Sequence, residues 1–272
     1  MQRRDSRLLL SATDLVNFHE CEHLSALDHA ALDDEALKAQ RSKPDDQAEL
    51  FFRKGREFEA LYLQELKRLH LGAGEVVEIA NPFKDPGKAA AATLAAMRAG
   101  ASIIYQGTFL DGDLIGHADF LRKVERPSAL GSHSYEAIDT KLGRHAKASY
   151  VLQLAFYGDL LASVQQAEPH EMHVVLGDRK SVPFTVSEYS RYFRRLLQRF
   201  RESIGTPPTE TYPTPCAKCG MCAWAERCEQ QRIDDDSLHL VAGIPSGQVH
   251  RLEEAGVTTL KQLAKLKPTR KI

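Results

Sequence analysis

The sequence predicts a mixed α/β core with helices on both sides, followed by a small helical hairpin unit. Two apolar runs, "ASIIYQGTFL" and "LIGHADFLRKVE", flank Asp111-Gly112-Asp113, a strong hairpin signal. The strand-like segments "EVVEIA", "SYEAIDTKLG" and "EMHVVLGD" alternate with segments of helical period. After the last long helix the chain turns to short apolar segments punctuated by glycine.

The elements follow in order. Ser11 or Thr13 caps a helix in which Leu15, Phe18 and Cys21 recur at helical spacing, and residues 33–47 are charged and mobile in composition. "AELFFRKGREFEALYLQELKRL" is an amphipathic helix with Leu50, Phe51, Phe58, Leu61, Tyr62, Glu65 and Leu66 on its stripe. "EVVEIA" is a short strand, and "DPGKAAAATLAAMRAG" a helix ending at glycine. Then come the hairpin, the strand "SYEAIDTKLG", the helix "KASYVLQLAFYGDLLASV", the strand "EMHVVLGD" and the amphipathic helix "VSEYSRYFRRLLQRFRESIG". The cysteine-rich segment and two short helices around glycine turns complete the chain.

With 272 residues, 43% hydrophobic and 27% charged, the chain has the balance of a globular protein. Its net charge of −1 excludes a general polycation, so nucleic-acid binding needs positive charge gathered on one surface. No apolar run is long enough for a bilayer, and "RLLLSATDLV" is too short for a secretory leader. The expected setting is the cytoplasm, where clustered cysteines are metal ligands or redox groups more often than disulfides.

Asp139 and Lys141 are two apart on a predicted strand and project to one face, with Tyr135 and Ala137. Asp119 interrupts an otherwise apolar strand. Hard divalent cations need carboxylate oxygens, and a lysine beside them can orient water or neutralise charge developing on phosphorus. On the next helix Gln153 and Tyr157 lie one turn apart on one face.

The succession G-x-x-D-F (Gly116–Phe120), D-x-K (Asp139–Lys141) and Q-x3-Y (Gln153–Tyr157) resembles the PD-(D/E)XK nucleases of the RecB type. That group includes the CRISPR-adaptation and AddB-type nucleases. The resemblance implies a restriction-endonuclease-like fold, Mg²⁺ or Mn²⁺ on Asp119 and Asp139, Lys141 as catalytic lysine, and Gln153 and Tyr157 contacting DNA near the metal. It also implies an upstream G-x-x-H-E motif whose histidine ligates. The matching stretch "GREFE" has Phe58 there, which cannot ligate, leaving Glu59, Glu57 or His117 as replacements. The alternative is a catalytically weakened DNA-binding module of a nuclease/helicase assembly.

Four of the five cysteines, Cys216, Cys219, Cys222 and Cys228, are spaced C-x2-C-x2-C-x5-C, and Cys21 lies far upstream. All four clustered thiolates can form one site, or Cys219, Cys222 and Cys228 can recruit Cys21. Four thiolates suit a [4Fe–4S] cluster or a tetrahedral zinc, and spacing does not choose between them. The second set matches the layout of RecB-type nucleases with an iron–sulfur cluster, with Trp224 as the aromatic between the last two ligands. The resemblance therefore implies a structural [4Fe–4S] cluster joining the two ends, with Cys216 as spare or substitute ligand.

For DNA, Arg191, Arg194, Arg195, Arg199 and Arg201 form an arginine face on one helix, and Arg144, His145 and Lys147 a second basic patch near Lys141. The tail resembles a helix–hairpin–helix unit, giving expected domains of 1–237 for the nuclease and 238–272 for a small DNA-binding unit. The order of motifs resembles the N-terminal part of bacterial RecB-family nuclease/helicase proteins. Together these imply an exonuclease acting on single-stranded DNA ends in repair or recombination, with a helicase-like region or partner and no membrane association.

Overall fold

A computed structural model describes residues 1–4, 7–69, 75–205 and 209–266, so the last six residues of the expected 238–272 unit lie outside the described residues. The chain forms two compact units, each assembled from two stretches: Met1–His19 with Asp45–Ser203, and Glu20–Pro44 with Ile204–Ile272. Among the described residues, no helix is long and apolar enough to cross a membrane.

In chain order the elements are β1 (Gln2–Arg4), β2 (Arg7–Ser11), α1 (Ala12–Glu20), α2 (Glu22–Ala30), α3 (Glu35–Lys38), α4 (Asp46–Leu69), β3 (Val76–Glu78) and α5 (Pro86–Ala99). There follow β4 (Ile103–Asp111), β5 (Leu114–Val124), β6 (Ser134–Thr140), α6 (Ala148–Gln165), β7 (Glu171–Val175), β8 (Ser181–Thr185) and α7 (Val186–Ser203). The chain ends with α8 (Ala225–Asp234), α9 (Ser246–Glu254) and α10 (Leu260–Leu263), with 3-10 turns at Ala217–Met221 and Leu238–Leu240.

The first unit is a mixed eight-stranded sheet in the order β1-β2-β5-β6-β7-β8, with β4 also on β5 and β3 on β4. This is the α/β architecture expected of a restriction-endonuclease-like fold. The hairpin turns at Gly112, whose φ of 58° lies in the left-handed region that glycine enters without a Cβ clash. Antiparallel β4 takes one edge of β5 along its length. The other edge is divided: β2 pairs parallel at Leu114 and Ile115, and β6 pairs antiparallel from Phe120↔Ile138 to Val124↔Ser134. Gly116–Asp119 therefore lie at a fork, where β6 leaves β5 to pair with β7 through Ile138, Asp139 and Thr140.

Helix α4 covers one sheet face, with Leu63 and Leu66 buried against Ile103, Phe120, Ile138 and Val175, and Phe58 and Tyr62 packing at the margin. The expected stripe is shorter than its period suggests, because Leu50, Phe51 and Leu61 are exposed. Helix α6 covers the opposite face, almost wholly apolar on its buried positions. Gly116 makes that approach possible: a Cβ there would lie 2.5 Å from Leu160 Cδ1 and 3.3 Å from the Tyr157 ring. Helix α7 packs on α6 through Phe193 and Phe156, with ring centroids 6.1 Å apart.

Two differences from the sequence pattern matter. The first helical run breaks at Cys21, whose extended backbone caps α2 and whose sulfur accepts from Leu24 N–H at 3.4 Å. Ser11 rather than Thr13 caps α1, exchanging hydrogen bonds with Asp14. Strands β1, β2 and β8 and the short α3 are additions, too brief or too mixed in pattern to declare themselves.

The second unit has two small cores. Leu24, Leu27, Ala31 and Trp224 form one, with Cys21, Leu37, Cys222 and Cys228 against it. Leu238, Val249 and Val257 form the other, under Ile244, Leu252 and Leu263.

Candidate active site and cysteine recess

The fork collects the acidic groups. Asp119, on β5 where the β6 ladder stops, accepts from the Thr140 backbone N–H and hydroxyl, both at 2.9 Å. Its carboxylate thus replaces a strand–strand hydrogen bond and pins the end of β6 beside it. Asp139 is fully buried; its Oδ1 accepts from Gln153 Nε2 at 3.1 Å, and the same nitrogen lies 3.0 Å from Tyr157 Oη. Lys141 Nζ stands 2.6 Å from Asp139 Oδ2 and 5.6 Å from the Tyr150 ring centroid. The close approach to Lys141 is not aligned as a hydrogen bond, so Asp139 Oδ2 is a buried oxygen with none. Asp119, Asp139, Lys141, Gln153 and Tyr157 are brought together.

Glu59 joins from α4. Gln106 donates to its carboxylate, and Tyr105 adjoins it. Gln106 holds φ at 57°, a left-handed conformation uncommon without glycine, at the point where the β4–β5 register passes from Tyr105↔Phe120 to Gly107↔Ala118. Phe58 packs against the core beside Tyr62, so the position expected to hold a histidine is a packing position. Glu57 is exposed and paired to Lys54 and Arg53 on the helix surface. His117 takes Thr108 Oγ1 as partner at 3.2 Å and lies against the Phe83 ring, centroids 4.5 Å apart and tilted by 50°, rather than meeting the carboxylates; burial pushes it down to about 4.

The electrostatics follow from this crowding. Burial, then the Asp119 charge, pushes Asp139 up to about 7, with Lys141 opposing. Burial and Asp119 also raise Glu59. Burial works to lower Lys141, but Asp139 and Asp119 outweigh it and hold the ammonium above its ordinary value. Burial, with the neighbouring carboxylates, keeps Tyr157 protonated. Among the described residues, Lys141 is the lysine that faces Glu59, Asp119 and Asp139. When ionised the three carboxylates leave the site short of positive charge, and Asp139 Oδ2, buried against Lys141, is an oxygen a metal ion could share.

A different trio, Glu136, Glu171 and His173, is the only one among the described residues whose metal-ligand atoms all lie within 4.8 Å of one another. It carries its own cation. Arg122 Nη2 is 3.1 Å from Glu136 Oε2 and 2.7 Å from His173 Nε2, filling the place a metal would take. Burial would raise Glu136, but His173, Arg122 and the Glu171 N–H outweigh it and hold its carboxyl below the ordinary value.

The basic groups divide by environment. Arg144, His145 and Lys147 are exposed in the loop between β6 and α6, next to the fork. On α7, Arg191, Arg194, Arg195 and Arg199 are exposed beside buried Phe193, Leu196, Leu197 and Phe200, as the period predicts. Their charge is partly spent: Arg194 pairs with Asp159 at 3.2 Å and Glu168 at 3.5 Å, and Arg201 is bidentate to Asp113. Arg199 lies over the Phe18 ring.

In the second unit all five cysteines line one recess, with His23, Lys218 and Arg232. Trp224 locks its floor: the ring is buried, Nε1 donates to Asp28 at 2.9 Å, and Arg41 lies over it at 5.5 Å. Backbone N–H groups point at three sulfurs, Leu24 at Cys21, Cys216 at Cys219 and Trp224 at Cys222, each at 3.4 Å. His23 Nδ1 meets Thr211 Oγ1 at 2.8 Å, while its Nε2 is buried without a partner. Burial raises Cys216 and Cys222, and burial with Cys222 pushes Cys228 up to about 11. Among the described residues no three of the sulfurs lie within 4.8 Å of one another.

Two carboxylates and a lysine thus meet at a strand fork, under a helix bearing Gln153 and Tyr157. The chain belongs to the PD-(D/E)XK nuclease superfamily, whose model matches residues 10–229 and whose members are generally phosphodiester hydrolases that use Mg²⁺ or Mn²⁺. No curated protein matches the chain. A solved structure titled "Crystal structure of SSO0001" is similar over 85% of this chain and 89% of its own, at 13% identity and a TM-score of 0.35.

Proposed function

We propose that the protein is a metal-dependent deoxyribonuclease of the RecB type, acting on single-stranded ends in repair or recombination. The observation that carries the catalytic reading is the fork: Asp119 and Asp139 adjoin, Lys141 is 2.6 Å from Asp139, and Asp139 Oδ2 is buried with no hydrogen bond. Asp119, Asp139 and Glu59 would hold Mg²⁺ or Mn²⁺, which supplies charge stabilisation at phosphorus and acidifies a bound water. Lys141, kept charged, offers a cation to the oxygens that gain charge during hydrolysis. Gln153 fixes the Asp139 carboxylate and also donates to Tyr157 Oη; Tyr157 is buried, so in this reading the pair positions Asp139. Arg144 and Lys147 next to the fork, with Arg191, Arg195 and Arg199 on α7, supply phosphate contacts. The tail from residue 238 adds a helical unit suited to backbone contacts with phosphate.

We read the recess as a thiolate cofactor site, supported by its five cysteines. Backbone N–H groups aimed at sulfur, the unpartnered His23 Nε2, and Lys218 and Arg232 suit an anionic [4Fe–4S] group held by Cys21, Cys219, Cys222 and Cys228.

The test is cleavage of end-labelled single-stranded DNA with Mn²⁺ by wild type, Asp139→Ala and Lys141→Ala. Cleavage by wild type alone supports the reading. Equal cleavage by all three, or none by any, removes it.

A further inference from the structure

The recess contains one thiol more than a four-ligand cofactor needs. Cys216 is the cap and Cys219 the third residue of the 3-10 turn; the Cys216 N–H donates to Cys219 Sγ at 3.4 Å, and the Cys219 N–H to Cys216 O at 3.1 Å. Their sulfurs are 3.9 Å apart. In a 3-10 turn residues i and i+3 eclipse, and a rise of about 2 Å per residue puts their Cα atoms roughly 6 Å apart, inside the disulfide range. The other i,i+3 pair in the segment is arranged differently. Cys222 ends the turn in extended backbone, and its sulfur is turned to the Trp224 N–H at 3.4 Å. Cys21 is likewise committed to capping α2. The segment therefore holds one thiol pair preset for closure, and one of its members, Cys219, belongs to the proposed cofactor set.

We propose that Cys216 is a resolving thiol. When the recess is not loaded, hydrogen peroxide closes Cys216 and Cys219 into a disulfide, and the closed pair withholds Cys219 from iron until a dithiol reopens it. The chemistry balances: peroxide oxidises one thiol to a sulfenic acid with loss of one water, and the second thiol displaces hydroxide from that sulfur as a second water. Two electrons leave the thiol pair and reduce one peroxide. Disulfide formation stands on the thiol geometry alone, whereas its effect on loading rests on the reading of the recess above.

Trypsin cuts after Lys218 and leaves Cys219 and Cys222 on one peptide, so fragmentation of the linked pair, with the blocking label located on Cys222, assigns the bridge to Cys219. Full-length protein freed of iron by a chelator is treated with hydrogen peroxide, and its thiols are blocked before digestion. The expected result is a mass loss of about 2 Da and a linked pair of peptides carrying Cys216 and Cys219, separated by dithiothreitol. Cys216→Ser should give no such link. Iron and sulfide uptake, read by absorbance, should fall roughly fivefold or more in peroxide-treated wild type, recover with dithiothreitol, and proceed in untreated Cys216→Ser as in untreated wild type. A bridge between Cys219 and Cys222, free thiols throughout, or loss of iron uptake in untreated Cys216→Ser would overturn the proposal. If the link forms but no variant takes up iron, the cofactor reading fails while the disulfide pair stands.

Discussion

Asp139 and Lys141 show how a common tripeptide becomes a site. Strand alternation predicts that they share a face; the 2.6 Å approach itself is seen only in the structure. Gln106 was not legible: nothing in "IIYQGTF" announces a left-handed strand residue aimed at a carboxylate on a helix. His117 misled for the complementary reason, since sharing strand parity with Asp119 does not say which neighbours crowd each side chain. We expect Lys141→Ala to lower metal-dependent cleavage about 100-fold or more while the protein still melts cooperatively, measured by end-label assay and thermal scan. Glu136 gives a pH prediction away from the site. Its carboxyl is held below the ordinary 4.5, so its stabilisation is complete above that value and is lost as pH falls through the lowered one. Glu136→Gln should therefore destabilise the protein at pH 7, and the difference from wild type should shrink in unfolding titrations carried below the ordinary carboxyl value.

At the scale of elements, hydrophobic period located α4, α5, α6 and α7 well because each buries a continuous face. It failed where the physics is local. Cys21 breaks α1 from α2 by becoming a cap, and β1 and β8 are edge strands with little alternation to detect. The arginine face of α7 was placed correctly, yet the period could not show that Asp159, Glu168 and Asp113 claim part of its charge. Gly116 links element packing to the site, because the helix it admits carries Gln153 and Tyr157. Gly116→Ala should force Leu160 and Tyr157 aside, cost about 1–3 kcal/mol in denaturant titrations, and reduce cleavage even at temperatures where the variant is folded.

For the molecule as a whole, each half of the sequence reading landed in a different unit: the acidic fork in the first, all five cysteines in the second. The family resemblance, not the spacing, pointed to Cys21 as a partner of the later trio, and Trp224 packs α2 against the cysteine segment. Removing that ring should loosen the recess without touching the fork. Trp224→Ala is expected to lose about 3–5 kcal/mol of stability in the second unit and to retain less iron after gel filtration. The Mn²⁺ affinity of the fork should be unchanged.

The account rests most on the fork as a cation site, and binding tests that without relying on cleavage. Mn²⁺ titrated into wild type and Asp139→Asn, followed by the electron paramagnetic resonance of free Mn²⁺, should show a saturable site in wild type and at least tenfold weaker binding in the variant. Equal binding by the two proteins would place the metal elsewhere and contradict the account.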